Sequence, residues 1–417
     1  VAGRERSVSP REAKRLSRVA GVEDLREMAR RKLPRPIFDF IDGAAFRERT
    51  LAANVEDFGR IRFRQRVLRD VSSIDLSTRV LGQPMSMPVA IAPTGISGIL
   101  PVGGHGELIA ARVAKAAGIP YTLGMMATAS IEEIANAVAS PWYQLCMLRD
   151  RGIVRGMVER AKLAGCPVLV LTTTWPFYSE LHRLTRNPYG SIPPTFSPGM
   201  IFTFGRKPVW SLRALLQPRP TFQNFAAHMD DPSDVAKIVG LLDASTVWKD
   251  VAWLRDLWPG KLIVKGITEA DDVEEAVRIG VDAVSVSNHG GNQLDEACSA
   301  ISCLPAVAEA ARGRLTVLLD GGIRSGQDVL KALALGADAC LLGRVHLYGL
   351  AAAGEAGVEK ALAIVRRELE VSAGMTGLAR ISDVSRDVVR LDPGWLGYPP
   401  AQSARGRTLS DFNTTSA

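Results

Sequence analysis

Three short apolar runs in the second half of the chain end in residues that do chemistry: 261-KLIVKG in Lys265 and Gly266, 283-AVSVSN in Ser287-Asn288-His289-Gly290-Gly291, and 316-TVLLDGG in Asp320-Gly321-Gly322-Ile323-Arg324. His289 follows a buried run and is flanked by small residues, so it reads as a titrating acid or base rather than a core histidine. Asp320 and Asp295 are both candidates to orient it. Lys265 closes a fully apolar run, so its ammonium points into a site and needs a partner. An electron-rich cofactor ring that gains negative charge on reduction is one such partner, a Schiff-base carbonyl is another, and a structural carboxylate is the plain alternative. Arg324 with its glycines, taken with Gly343 and Arg344, reads as a phosphate site. Glycines let backbone N–H groups approach an anion, and arginines add charge-assisted bonds. Surface ion pairs around a simple turn are the alternative there. His105, His182, His228 and His346 lack comparable surroundings and read as structural or surface residues. No HxH, HExxH or CxxC spacing supports a metal.

These residues need a scaffold that gathers strand ends. The runs 87-MPVAIAPTG, 120-PYTLG, 142-WYQLCM and 167-PVLVLTT, the three above and 339-ACLLGR alternate with amphipathic stretches such as 106-GELIAARVAKAAG and 328-DVLKALALG. The alternation predicts an α/β fold, a (β/α)8 TIM barrel over 85–392, with buried parallel strands. Barrel enzymes carry their sites at the C-terminal strand ends, and the unusual polar residues fall there. Pro93, Thr94 and Gly95 follow strand one, Gln144 lies in strand three and Thr172 closes strand four. Residues 1–84 read as a basic arm and helical lead-in, with Pro34 and Pro36 breaking the first helical pattern. Residues 393–417, rich in Pro, Gly, Ser and Thr, read as a disordered tail. The interval 174–247 is too long for an ordinary loop and reads as a lid or binding excursion. It mixes Phe196, Met200, Ile201, Phe202, Phe204, Trp210, Leu215 and Leu216 with Arg206, Lys207, Arg213 and Arg219. That mixture suits a lid packed on its own barrel first, and contact of 196–216 with a membrane surface second.

A net charge of +7 is concentrated near the N-terminus, but acidic residues interrupt the series and no stacking platform accompanies it. No nucleic-acid partner is therefore expected. Five scattered cysteines without paired spacing indicate reduced thiols. The N-terminus has charge without an apolar h-region, and no run approaches a membrane span. The expectation is a cytoplasmic enzyme with a small-molecule substrate.

The segments VAIAPTG, YQL, VKG, SNHGG-x-QLD, LLDGGIRSGQDVLKALALGADACLLGR and GEAGVEKAL resemble the FMN-dependent α-hydroxy-acid oxidase/dehydrogenase family, which includes glycolate oxidase, lactate oxidase and mandelate dehydrogenase. The resemblance runs from about Leu33 to Ser385. It implies FMN as cofactor and a homotetramer. Pro93, Thr94 and Gly95 would line the flavin, with Gln144 and Thr172 near its ring. Lys265 would face the N1–O2 edge, and Ser287 would lie beside the base. Asp320, Gly322, Arg324, Gly343 and Arg344 would hold the ribityl phosphate. His289 would take the substrate hydroxyl proton as hydride passes to flavin N5.

The substrate positions depart from that family. Phe40 and Cys146 stand where it has tyrosines, Thr174 where it has the aspartate that pairs with the histidine, and Leu181 and Asn292 where it has carboxylate-binding arginines. A bidentate Arg–carboxylate contact is strong and selective, so a small hydroxy acid loses its grip here unless Arg183 or Arg186 substitutes. Thr174 also deprives His289 of a partner that raises its basicity. The Asn292 change and the Thr-Trp-x-Phe run at 174–177 resemble the branch that matures peptide-derived redox cofactors. The leading expectation is an FMN oxidoreductase acting on an atypical alcohol or amine of secondary metabolism. A genuine mandelate-like hydroxy-acid enzyme and a catalytically silent flavin-binding protein are the alternatives.

Overall fold

The computed structural model describes residues 10–100, 105–187, 198–216 and 220–395. Eight parallel strands form the barrel: β1 (Val89–Ile91), β2 (Thr122–Gly124), β3 (Trp142–Cys146), β4 (Val168–Thr172), β5 (Lys261–Ile267), β6 (Ala283–Val286), β7 (Thr316–Asp320) and β8 (Ala339–Leu342). Each pairs with its successor from β2 to β8. β8 pairs with β1 in the register Leu341 to Ala90, and a bridge from Ile91 to Tyr121 closes the ring. The expected barrel is therefore the observed one, built from the strands that were read as continuous apolar runs.

Small and branched side chains fill its interior, among them Ala90, Val170, Ile263, Ala283, Leu318 and Leu341. The hairpin Thr78–Val80 and Gln83–Met85 adds Val80 and Met85 to this cluster, and Trp142 Nε1 donates to Gln83 Oε1 at 3.1 Å. The barrel floor thus begins before residue 85. Two three-residue strands around a turn carry too little periodicity to be read as part of a barrel.

The lead-in includes helices Pro10–Leu16, Val22–Lys32, Arg35–Asp42 and Arg49–Glu56, with Pro34 at the break between the second and third. Helix Val22–Lys32 packs on helix Arg344–Ala353, which follows β8. Helix Arg49–Glu56 lies against the barrel mouth so closely that a Cβ on Gly322 would come within 1.8 Å of the Asn54 carbonyl oxygen. Asp295 accepts from the backbone N–H groups of Arg47 and Thr50, at 2.9 Å each, and so holds the start of this helix rather than His289.

The excursion after β4 divides in two. Phe222, Phe225, Ile238 and Leu242 are buried on the barrel, and Asn224 Oδ1 accepts from Ile131 N at 3.0 Å. Helices Pro198–Gly205 and Pro208–Leu215 instead leave Ile201, Phe202, Val209, Leu212, Leu215 and Leu216 exposed. Phe196 and Arg219, like Arg4 and Arg6 of the arm, lie outside the described residues. Of the 393–417 tail the structure describes only the start, where Trp395 is buried; 396–417 lie outside it. No described helix is long and apolar enough to cross a membrane.

Candidate active site

The ends of β5, β6 and β7 bring three buried polar groups together. Lys265 Nζ lies 2.8 Å from Asp320 Oδ2 and donates to Ser287 Oγ at 2.9 Å, while Ser287 Oγ donates to Asp320 Oδ1 at 2.6 Å. A buried ammonium is tolerable only when paired and hydrogen-bonded in this way. Asp320 therefore sits behind Lys265, and not in the anion-facing turn where the resemblance placed it. Thr172 stands beside Lys265 in the β4–β5 register.

His289 follows β6 in a short 3-10 turn. Its backbone N–H donates to Ser287 Oγ at 3.1 Å, and its φ of +57° is a left-handed conformation that histidine adopts more readily than most residues. A reciprocal amide pair sets the turn: Asn54 and Asn288 exchange hydrogen bonds of 2.9 Å, and Gly291 N–H donates to Asn288 Oδ1 at 3.2 Å. Sequence reading named Asn288 only as part of the motif around His289 and missed Asn54, because the pairing has no signal apart from a partner more than two hundred positions away.

The ring of His289 meets Thr174, with Nδ1 and Oγ1 2.8 Å apart, so neither Asp320 nor Asp295 orients it. Gly266 makes that contact available. It lies in the β5 register shift with φ +121°, and a Cβ there would come within 2.4 Å of Thr174 Cγ2. Burial, with the positive charges of Lys265 and Arg344, pushes the imidazole down to about 3. It is a neutral base here, in the direction expected from losing a carboxylate partner.

Around the other half of the mouth, Pro93, Thr94 and Gly95 follow β1 half-buried. Gln144 Oε1 accepts from Met125 N–H and Gln144 Nε2 donates to Cys146 Sγ, both at 3.4 Å. Gly343 caps helix Arg344–Ala353, and a Cβ on it would meet nothing within 4 Å, which leaves open space at a helix N-terminus. The backbone N–H of Arg324 donates to Asp328 Oδ2 at 2.9 Å, while its guanidinium donates to the neighbouring Ile323 carbonyl at 2.9 Å and forms no ion pair among the described residues. Arg344 turns away from that space. It donates to the carbonyls of Ile41, Gly290 and Gly43 at 3.1, 2.9 and 2.6 Å, and to Asn292 Oδ1 at 3.2 Å. Burial lowers this guanidinium to about 10. Gly322 is needed for the close approach of Asn54 described above, whether or not it also serves an anion.

The face in front of His289 is mostly apolar. Trp175 lies 6.5 Å from the imidazole centroid to centroid, and His182 stacks edge-on against Phe46 at 5.5 Å. Phe40 is half-buried, Leu181 is half-buried, and burial pushes the Cys146 thiol up to about 12. Arg183 is held by Asp42 Oδ2 at 2.7 Å and by Glu48, and Arg186 is exposed on the outside. The two arginines considered as substitutes are therefore one engaged and one directed to solvent.

The sequence profile of the FMN-dependent dehydrogenases matches residues 29–391. The chain belongs to this family. It is 42% identical over 377 residues to an L-lactate dehydrogenase of Xanthomonas euvesicatoria pv. vesicatoria (strain 85-10), covering 89% of this chain and 96% of that one. It is 41% identical over 379 residues to an L-lactate dehydrogenase of Pseudomonas aeruginosa (strain UCBPP-PA14), covering 88% and 97%. Among solved structures, a monotopic membrane protein, (S)-mandelate dehydrogenase, superposes with a TM-score of 0.86 at 37% identity, over 90% of this chain and all of the other. A mandelate oxidase does so with a TM-score of 0.77 at 34% identity, covering 89% and 99%.

The residues of this FMN-dependent dehydrogenase fit the cofactor on three observations. The Arg324 guanidinium has no carboxylate partner among the described residues, the helix behind Gly343 opens on free space, and Lys265 is a buried cation at the rim of the mouth. The first two suit a phosphate, and the third suits a ring that gains negative charge.

Proposed function

We propose that this family member oxidises an alcohol or amine carbon in a substrate larger and less acidic than lactate, of the kind supplied by secondary metabolism. The observation that carries the reading is the state of the carboxylate positions. Leu181 has no donor to offer, Asn292 accepts from Arg344, and Arg183 is engaged by Asp42 and Glu48. A carboxylate brought there meets no free guanidinium among these groups, and burying an unpaired charge is costly.

Bound FMN supplies the two-electron acceptor. For His289 to act as base through Nε2, Nδ1 carries the hydrogen and donates to Thr174 Oγ1, leaving Nε2 to take the proton from the substrate hydroxyl or amine. Lys265 holds positive charge at the end of β5, and Trp175 covers one side of the imidazole. Pro93, Thr94, Gly95, Gln144 and Thr172 would line the cofactor ring, and Arg324 with Gly343 would take its phosphate.

Anaerobic bleaching of the flavin with mandelate, lactate and a panel of amines and alcohols tests this. Bleaching by non-acids alone is the expected result. Rapid bleaching by a hydroxy acid would favour the second reading, a genuine hydroxy-acid enzyme, which the lactate and mandelate relatives support. Silence with the whole panel would favour a flavin-binding protein without turnover.

Place is a second matter. Phe202 and Leu216, 67% and 77% exposed, lie in the segment of two short helices that also carries Arg206, Lys207 and Arg213 in or beside them. Apolar and basic residues in one such patch support contact with an anionic membrane surface, here the cytoplasmic face, and the monotopic mandelate dehydrogenase favours it. Co-sedimentation with phosphatidylserine vesicles is expected, and its loss in Phe202→Ser/Leu216→Ser checks the surface.

A further inference from the structure

His346 has no part in the chemistry described so far, yet it is fully buried at the mouth end of the barrel seam. It lies in the first turn of helix Arg344–Ala353, behind Gly343. Its Nδ1 is 3.0 Å from the carbonyl oxygen of Leu342, the last residue of β8, and that same oxygen accepts from Ala92 N–H at 3.1 Å. A carbonyl can only accept, so Nδ1 carries the hydrogen. Burial lowers this imidazole to about 4, and a neutral ring protonated at Nδ1 has a bare Nε2. The partner of Nε2 is Thr94 Oγ1, 3.3 Å away. The threonine hydroxyl must then be the donor in that contact. Its own hydrogen is committed inward, and only its lone pairs are left for the half-exposed side that looks into the mouth.

We propose that His346 is a positioning residue that fixes the Thr94 hydroxyl as a hydrogen-bond acceptor towards the ring of bound FMN. The proposal rests on the reading that FMN lies against Pro93, Thr94 and Gly95. A hydroxyl left free to rotate serves a donor or an acceptor equally, whereas one tied to a bare imidazole nitrogen serves only a donor. The reduced isoalloxazine ring carries more N–H donors than the oxidised ring, so a fixed acceptor beside it favours the reduced state. His346 therefore makes the flavin a better electron acceptor without touching substrate.

Two amide variants separate this role from mere packing. In His346→Asn the side-chain amide can still donate to the Leu342 carbonyl, in place of Nδ1, but does not reach Thr94. In His346→Gln the amide oxygen can take the place of Nε2 and accept from Thr94. The measurements are the flavin midpoint potential and the FMN dissociation constant. Expected in His346→Asn are a more negative potential and FMN binding to the oxidised protein weakened by no more than about fivefold, the worth of one ordinary hydrogen bond. His346→Gln should restore the potential. Thr94→Val should reproduce the shift of His346→Asn, and the double variant should add nothing further, as two members of one contact do. If Thr94→Val leaves the potential unchanged, Thr94 does not lie against the ring and the underlying cofactor reading fails. If Thr94→Val shifts it but His346→Asn does not, or His346→Gln and His346→Asn shift it equally, His346 does not position the hydroxyl and the proposal is wrong.

Discussion

Behind His289 the barrel mouth is a closed polar network, with Lys265, Ser287 and Asp320 linked by contacts of 2.6 to 2.9 Å and the two asparagines locking the turn beside them. In front of it stand Trp175, Phe46, Leu181 and a half-buried Phe40, and the nearby arginines already have partners or face outward. The two sides answer to different demands. The rear would face one cofactor, the same for every substrate, so each polar group there can be matched once and buried. The front meets the molecule to be oxidised, and its residues state what that molecule lacks. Lys265 and Arg344 bring positive charge to the imidazole, whose ring meets the Thr174 hydroxyl rather than a carboxylate.

If that contrast is correct, the largest effect comes from the residue on the boundary. His289→Asn should slow anaerobic flavin reduction by about 10²- to 10⁴-fold while leaving FMN bound, because it removes the base and spares the rear network. A variant that loses FMN as well would mean the two sides are not separable. Next, Leu181→Arg should convert part of the front to the hydroxy-acid pattern. Reduction by mandelate should rise about tenfold or more, the worth of a charge-assisted contact; no gain would show that Asn292 or Trp175 also blocks a carboxylate. Thr174→Asp should act through pH. The wild-type imidazole, held at about 3, stays unprotonated far into acid, so the reduction rate has no acid limb near pH 6. A carboxylate at 174 stabilises the imidazolium, and an acid limb should move up towards the ordinary histidine range. Folding shows the same linkage in the apoprotein. A histidine whose folded value lies below its unfolded value binds more protons when unfolded, so its stabilisation is complete above about 6.5 and is lost as pH falls towards the folded value. Thermal melts should therefore drop over that window, and less so in His289→Asn.

How much of this was legible in the sequence follows the same division. The barrel strands were readable because both their faces are buried, which makes each an uninterrupted apolar run, and Lys265, Ser287 and His289 were readable because they end such runs. The identity of the partners was not. Asp320 was read as an orienting or phosphate-binding group, and only the register of β5, β6 and β7 brings it to Lys265. Thr174 was noted as a missing aspartate, but its direct contact with His289 depends on Gly266 having no side chain, a relation across some ninety positions. The floor hairpin and the Asn54–Asn288 pair were invisible for the same reason: each is defined by contact rather than by periodicity. Arg344 shows the limit most clearly. Its position in Gly-Arg after β8 suggested an anion, whereas its guanidinium reaches back to the lead-in and to Asn292.

The smallest expected effect is also the one that most directly divides the two readings of the front. Arg183 is the nearest candidate for a rebuilt carboxylate grip, and it is about one quarter exposed. Removing it by Arg183→Leu takes one ion pair from Asp42, which keeps Arg26 at 2.5 Å and the Tyr348 hydroxyl at 2.8 Å. Glu48 keeps the Ala44 N–H at 3.1 Å. With both carboxylates still partnered, the stability cost should be about 1–3 kcal/mol in a denaturant titration, short of leaving the buried Asp42 unpaired. Flavin reduction by the preferred substrate should be unchanged, because Arg183 binds lead-in carboxylates rather than the substrate. A selective loss of reduction by hydroxy acids, at unchanged stability, would instead place the guanidinium on a substrate carboxylate and return the front of the mouth to the pattern of its lactate and mandelate relatives.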